Sequence, residues 1–198
     1  MGMKIIRLNQ GKYQENSYVC LEGKQALVID PGNPLSLLKE AINQAEVVGI
    51  YLTHGHSDHT AFVDDLLDLY PQAKLYGHSG DEALMDRQTR LMEGYPIYHD
   101  LEVLEEGIHH IGDFEVEVIW TPGHSMGSSC LRIKDALFTG DTLFKGTVGR
   151  SDLFGGNEET LFQSLAKLKG LDPSLKVYPG HEDSSTLAME LKTNPFLR

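Results

Sequence analysis

Short stretches in which apolar and polar residues alternate dominate the first part of the chain. Residues 3–9, 16–21 and 25–29 read as strands, punctuated by turn signals at Glu22-Gly23 and Asp30-Pro31-Gly32-Asn33-Pro34. Helical spacing predicts a helix from about Leu35 to Ala45. Phe62, Leu66, Leu69 and Tyr70 predict another near 60–70, ended by Pro71. Strands are expected over 47–52 and 73–76, and Ser79 caps an acidic helix start at Asp81-Glu82 that runs to about Met92 before a loop over 93–100. Further strands are expected over 101–104, 114–119, 129–133, 136–139 and 176–178, with helices at about 158–169 and 184–192. Strands then helix, strand then helix, and strands then helix again predict an α+β fold: two mixed β-sheets packed face to face with helices outside, a four-layer αββα sandwich.

Composition narrows the class. With 198 residues, 40% of them hydrophobic, the chain suits one domain spanning 1–198 that buries its own core. A formal net charge of −12, from 17 Lys and Arg against 29 Asp and Glu, argues against a nucleic-acid surface and for a small-molecule substrate. No apolar run approaches membrane-spanning length, and Lys4 and Arg7 interrupt the start too early for a secretory leader, so no membrane partner and a cytoplasmic location are expected. Cys20 and Cys130 stand alone in strand-like contexts, as buried, reduced thiols.

The chemistry concentrates at one strand end. Directly after the apolar run Val47–Leu52 comes Thr53-His54-Gly55-His56-Ser57-Asp58-His59, four metal-ligand side chains within six residues. With nine histidines in the chain, chance supplies such a string on the order of once in a thousand sequences of this composition. Three more candidate ligands each follow an apolar run and a glycine: His124 after Pro122-Gly123, Asp141 after Gly140, and His181 after Pro179-Gly180. Glycine there permits the positive φ or close backbone approach that turns the next side chain over the sheet edge. The seven nitrogen and oxygen donors divide into two sets if one carboxylate bridges, which suits a binuclear site.

These residues carry a family resemblance. T-H-x-H-x-D-H, the lone histidine after Pro-Gly, the Gly-Asp-Thr-Leu-Phe stretch at 140–144 and the late Pro-Gly-His are similar to the metallo-β-lactamase fold superfamily, over Asn16 to His181. Gly140–Phe144, Val148–Leu153 and the tail Lys192–Leu197 resemble the short bacterial relatives of glyoxalase II. The resemblance implies that His54, His56, His124 and Asp141 hold one metal, and Asp58, His59, His181 and Asp141 a second, with Asp141 shared. It also implies two divalent ions, zinc foremost with iron or manganese open. The chain ends soon after His181, without the C-terminal helical region that supplies glutathione contacts in glyoxalase II. Arg150 stands near the positions where the longer enzymes carry Lys and Tyr, and either clamps a substrate carboxylate or pairs with Asp152.

Two such ions share a water whose pKa falls to about 7, so metal-bound hydroxide is the expected nucleophile, with Asp58 available to relay a proton. A small thioester suits the site because its thiolate, with a pKa near 8.5, departs without a strong acid. The expected activity therefore resembles S-(2-hydroxyacyl)glutathione hydrolysis. The rivals are a mononuclear-iron persulfide dioxygenase on His54, His124 and Asp141, a lactonase or other ester hydrolase, and a non-catalytic metal-binding module. His78, His99, His109 and His110 fall outside the four loops; Asp30 reads as an Asx-type turn or a support behind the ligands, and Trp120 as core packing.

Overall fold

The computed structural model describes residues 2–198. Sheet one runs in the order β1 (Lys4–Leu8), β2 (Ser17–Glu22), β3 (Gln25–Ile29), β4 (Glu46–Tyr51), β5 (Lys74–Gly77), β6 (Leu101–Val103). Its first two pairings are antiparallel and the remaining three parallel. With β7 (Gly107–Ile111), β8 (Phe114–Trp120), β9 (Ser129–Ile133), β10 (Ala136–Gly140), β13 (Lys176–Pro179) and β14 (Ser185–Thr186), the second sheet reads β14-β13-β10-β9-β8-β7. Only β10 and β13 pair in parallel there. A hairpin of β11 (Leu143–Phe144) and β12 (Thr147–Val148) stands apart.

Three apolar clusters make the layers. Alternate residues of a strand point to opposite faces, so β3 sends Ala26 and Val28 outward and Leu27 and Ile29 inward. The outward set packs with Leu38 and Ile42 of α1 (Leu35–Ile42) and Val63, Leu66 and Leu67 of α3 (Val63–Leu69). The inward set meets Phe114, Val116, Val118, Leu131 and Phe138 of the second sheet. Leu137 and Val177 face outward from that sheet onto Leu161, Leu165 and Leu168 of α5 (Glu158–Lys169) and Leu187 of α6 (Leu187–Thr193). Helix, sheet, sheet and helix thus stack as the sequence predicts. β3 and β4 are apolar almost throughout because both faces are covered.

Several boundaries differ from expectation. α1 stops at Ile42 rather than Ala45 because Asn43 turns to a left-handed φ of 55°. The helix expected near 60–70 is two: α2 (Ser57–Thr60) starts inside the histidine motif, and the chain leaves helical geometry at Phe62, whose N–H donates to Pro31 O, before α3 begins. The helix expected to run to Met92 is a short 3-10 turn, Ser79–Asp81, followed by α4 (Glu82–Met85). It cannot continue because Leu84 O and Met85 O accept from Tyr95 N and Ile97 N of the returning loop, while Asp86 accepts from Gln88 N. β7, β11, β12 and β14 were not apparent from periodicity. Three of them belong to two-residue hairpins, β7 through Gly112-Asp113 and β11 with β12 through Lys145-Gly146, where glycine takes a positive φ.

Candidate metal centre

Topology alone brings the candidate ligands to one edge. β3 and β4 run parallel, so Asp30 and the Thr53–His59 loop leave sheet one on the same side. β8, β10 and β13 share a direction in the second sheet, so His124, Asp141 and His181 leave it together. The two sheets are tied at this edge by Ser129 N donating to Thr53 O at 2.8 Å, Asn16 N to Gly180 O at 2.7 Å and Tyr18 OH to Pro179 O at 2.6 Å. Gly123 and Gly140 take the positive φ that the turns need, 137° and 46°. Gly180 serves differently: a Cβ there would lie 2.2 Å from Asp141 Oδ1.

All seven predicted residues come together. His54, His56 and His124 each direct one donor atom into one group, and Asp58, His59 and His181 do the same in a second, the atoms of each lying within 4.8 Å of one another. Asp141 stands between them, with Oδ1 3.3 Å from His59 Nε2 and Oδ2 3.5 Å from His124 Nε2 and 3.6 Å from His181 Nε2. Asp58 Oδ2 lies 3.2 Å from His181 Nε2 and 3.7 Å from His59 Nε2.

Hydrogen bonds behind the rings decide which nitrogens face inward as acceptors. Thr53 Oγ1 donates to Asp30 Oδ2 at 2.6 Å, so it accepts from His54 Nδ1 at 3.0 Å. His59 Nδ1 donates to the same Asp30 oxygen at 3.0 Å, and His124 Nδ1 donates to Arg150 O at 2.7 Å. In the neutral form of each ring the other nitrogen keeps its lone pair. Consequently His124 Nε2 points at His56 Nδ1 across 2.9 Å with no proton assigned to it from behind. Nε2 of His54, His56 and His59 and Oδ1 of Asp141 are buried without a hydrogen-bond partner. Buried polar atoms crowded in this way are costly unless a cation lies among them, and imidazole with carboxylate is a donor set for zinc, iron or manganese.

Electrostatics separate the halves. Burial, reinforced by neighbouring imidazoles, lowers His54 well below the usual histidine range and His56 to about 4, so both stay neutral. Around His59 burial also disfavours charge, but Asp141 and Asp58 outweigh it and raise its pKa; burial is likewise outweighed at His181 by Asp58. The carboxyls respond oppositely. Burial would raise Asp58 and Asp141, yet His59 holds both below the ordinary range.

A cavity of about 590 Å³ lies over the cluster, lined by Tyr13, Met92, Glu93, Phe144, Arg150 and Leu153 above the ligands. Arg150 lines it; its guanidinium is paired with Asp152 at 2.6 and 2.8 Å, and its main-chain carbonyl fixes His124. Asp30 is no Asx turn, since its carboxylate serves Thr53 and His59. Trp120 is not core: it lies half-buried, stacked on His78 with Lys167 over it. His99 pairs with Asp64 and His109 with Glu105 O, and neither they nor His110 join a ligand group among the described residues. Cys20 and Cys130 are both free and buried. Asp81, which sequence reasoning passed over, is buried against two of the ligand loops. Among the described residues, no helix is long and apolar enough to cross a membrane.

Comparison with known proteins shows the family. The sequence profile of the metallo-beta-lactamase superfamily matches residues 11–181. The probable metallo-hydrolase YqgX of Bacillus subtilis is 32% identical, with 98% of each chain covered. A hydroxyacylglutathione hydrolase of Tolumonas auensis is 34% identical over 85% of this chain, which spans 62% of that enzyme. Among solved structures, the BLEG-1 B3 metallo-beta-lactamase superposes with a TM-score of 0.88 at 32% identity, covering 98% of this chain and 99% of its own. TTHA1623 in a di-iron-bound form superposes at 0.83 with 34% identity, covering 97% of this chain and 100% of its own.

Proposed function

The chain belongs to the metallo-beta-lactamase superfamily, and from that footing we propose that it hydrolyses a small thioester at a binuclear metal centre, with zinc as the foremost ion. The observation that carries this reading is the pair of ligand groups joined by Asp141 on the floor of one cavity. His54, His56 and His124 would hold one ion, Asp58, His59 and His181 the other, and Asp141 both. When bound, two divalent ions supply an activated water and an electrophile for the substrate carbonyl.

The remaining work falls to the chain. Asp30 and the Arg150 carbonyl keep the imidazoles turned with their lone pairs inward. Asp58, partly open to the cavity, would relay a proton to the departing thiolate. Tyr13, Met92, Phe144 and Leu153 give the cavity apolar walls that displace water from an acyl group. The Arg150 guanidinium can exchange Asp152 for a carboxylate on the substrate's thiol carrier. A thioester fits a site without a strong acid because its leaving group is already a weak base.

A cytoplasmic protein acting on a small thiol-linked metabolite, with residues 1–198 as one hydrolase domain, completes the reading. It is tested with metal-loaded protein on a panel of small thioesters. Turnover supports the assignment, and no turnover on any member sinks it. The likeness to BLEG-1 favours β-lactams as the second class to assay. A persulfide dioxygenase, which needs one ion on His54, His124 and Asp141, would leave the equally well assembled Asp58, His59 and His181 without work; oxygen uptake with a persulfide would reveal it.

A further inference from the structure

A buried carboxylate outside both ligand groups joins two of the ligand loops. Asp81 ends the 3-10 turn that follows β5 and is 2% exposed. Its Oδ2 accepts from Gly55 N at 2.8 Å and from Ser125 Oγ at 2.6 Å, and its Oδ1 accepts from Gly127 N at 2.7 Å. Gly55 separates His54 from His56, and Ser125 follows His124. All three donors therefore belong to the loops of the three-imidazole group.

The surrounding backbone leaves no space for side chains. A Cβ on Gly55 would lie 2.9 Å from Asp81 Cβ, one on Gly127 would lie 2.7 Å from the Asp81 carboxyl carbon, and one on Gly80 would lie 2.7 Å from Gly127 N. Gly55 and Gly127 are thus explained by close approach to the Asp81 side chain, and Gly80 by the approach of its turn to the backbone of the His124 loop. Asp30 has the complementary reach, since it holds His59 directly and His54 through Thr53.

We propose that Asp81 is a positioning residue that sets the separation of the His54–His56 loop from the His124 loop, and with it the metal affinity of that group alone. The inference rests on the metal-centre reading above. An amide at position 81 keeps one acceptor but turns an NH2 group towards donors that had an oxygen, leaving buried N–H groups unpaired and pushing the loops apart. Ligand distances tolerate only about 0.2 Å, so a small displacement is sufficient.

The test compares Asp81→Asn and Ser125→Ala, each alone and combined with His181→Ala, by zinc stoichiometry and by competition with a chromophoric chelator. Far-UV circular dichroism and the melting of zinc-free protein report the fold. Asp81→Asn is expected to keep one tight zinc and to bind the other 10–100-fold more weakly, about the usual effect of losing a group that orients ligands. Combined with His181→Ala, the same loss should fall on the one zinc that remains. Ser125→Ala, which removes one donor and keeps the charge, should weaken the same group by about 3–10-fold. Wild-type affinity for both ions in Asp81→Asn, or equal weakening of both, overturns the proposal. If Asp81→Asn does not fold, unchanged affinity of the three-imidazole group in Ser125→Ala overturns it. A wild-type protein that binds no zinc overturns the metal-centre reading and this inference with it, an outcome distinct from selective failure of the variants.

Discussion

Asp30 Oδ2 lies 3.0 Å from His59 Nδ1, although 29 residues separate the two in the chain. The same oxygen accepts from Thr53 Oγ1, so it fixes the tautomers of His54 and His59 together. In Asp30→Asn the amide nitrogen would face two donors, and the His59 proton would move to Nε2, removing an inward lone pair. Weaker binding of both ions is expected, 10–100-fold for the one on His59. Chelator competition checks it; two unchanged affinities would refute the assignment of Asp30.

Metal removal should be visible as lost stability. Four buried side-chain atoms of the centre have no hydrogen-bond partner, and an ion present at about a thousand times its Kd contributes about 4 kcal/mol. For a chain of this size, thorough chelation should lower Tm by on the order of 10 °C, and zinc should restore it. A melting curve indifferent to chelator and zinc would contradict the centre.

Arg150 divides its roles between main chain and side chain. Arg150→Ala keeps the carbonyl that fixes His124, so metal content should not change, and loss of an exposed ion pair should leave Tm within about 2 °C. The expected effect is a fall in kcat/KM of about tenfold, confined to thioesters whose carrier bears a carboxylate. Equal kcat/KM for charged and neutral carriers, before and after the substitution, would remove the side chain from substrate binding.

Neither thiol should react in the folded protein. Burial pushes Cys130 up to about 12 and raises Cys20 as well. At pH 8 the reactive thiolate of Cys130 is then a fraction on the order of one in ten thousand, and access is closed besides. An aromatic disulfide reagent at pH 8 should titrate no thiol in native protein and both after denaturation; rapid native labelling would contradict the burial.

The layer order was legible because apolar alternation and helical spacing report burial directly, as in β3, β8 and α5. The seven candidate ligands, which the fold brings together, were legible as candidates because imidazoles and carboxylates gather at strand ends. What stayed hidden depended on distant partners. Nothing near residue 85 announces that Leu84 and Met85 will lose their carbonyls to Tyr95 and Ile97, so the helix expected to reach Met92 ends early. Asp81 looks like a helix-start acid in sequence, and only the arrival of Gly55, Ser125 and Gly127 gives it work. The pairing of Arg150 with Asp152 was one of two open readings, whereas its carbonyl's hold on His124 had no signal in residue type.

The floor of the cavity is made where side chains are forbidden. At Gly149 a Cβ would lie 1.8 Å from Asp141 O, at Gly140 2.3 Å from Thr53 Oγ1, and at Gly180 2.2 Å from the shared carboxylate. The walls at Tyr13, Met92 and Leu153 are side chains carried on loops outside the two sheets. Reactivity and selectivity are therefore inherited separately: mutation can reshape the walls for a different substrate while the glycine-bounded floor stays fixed.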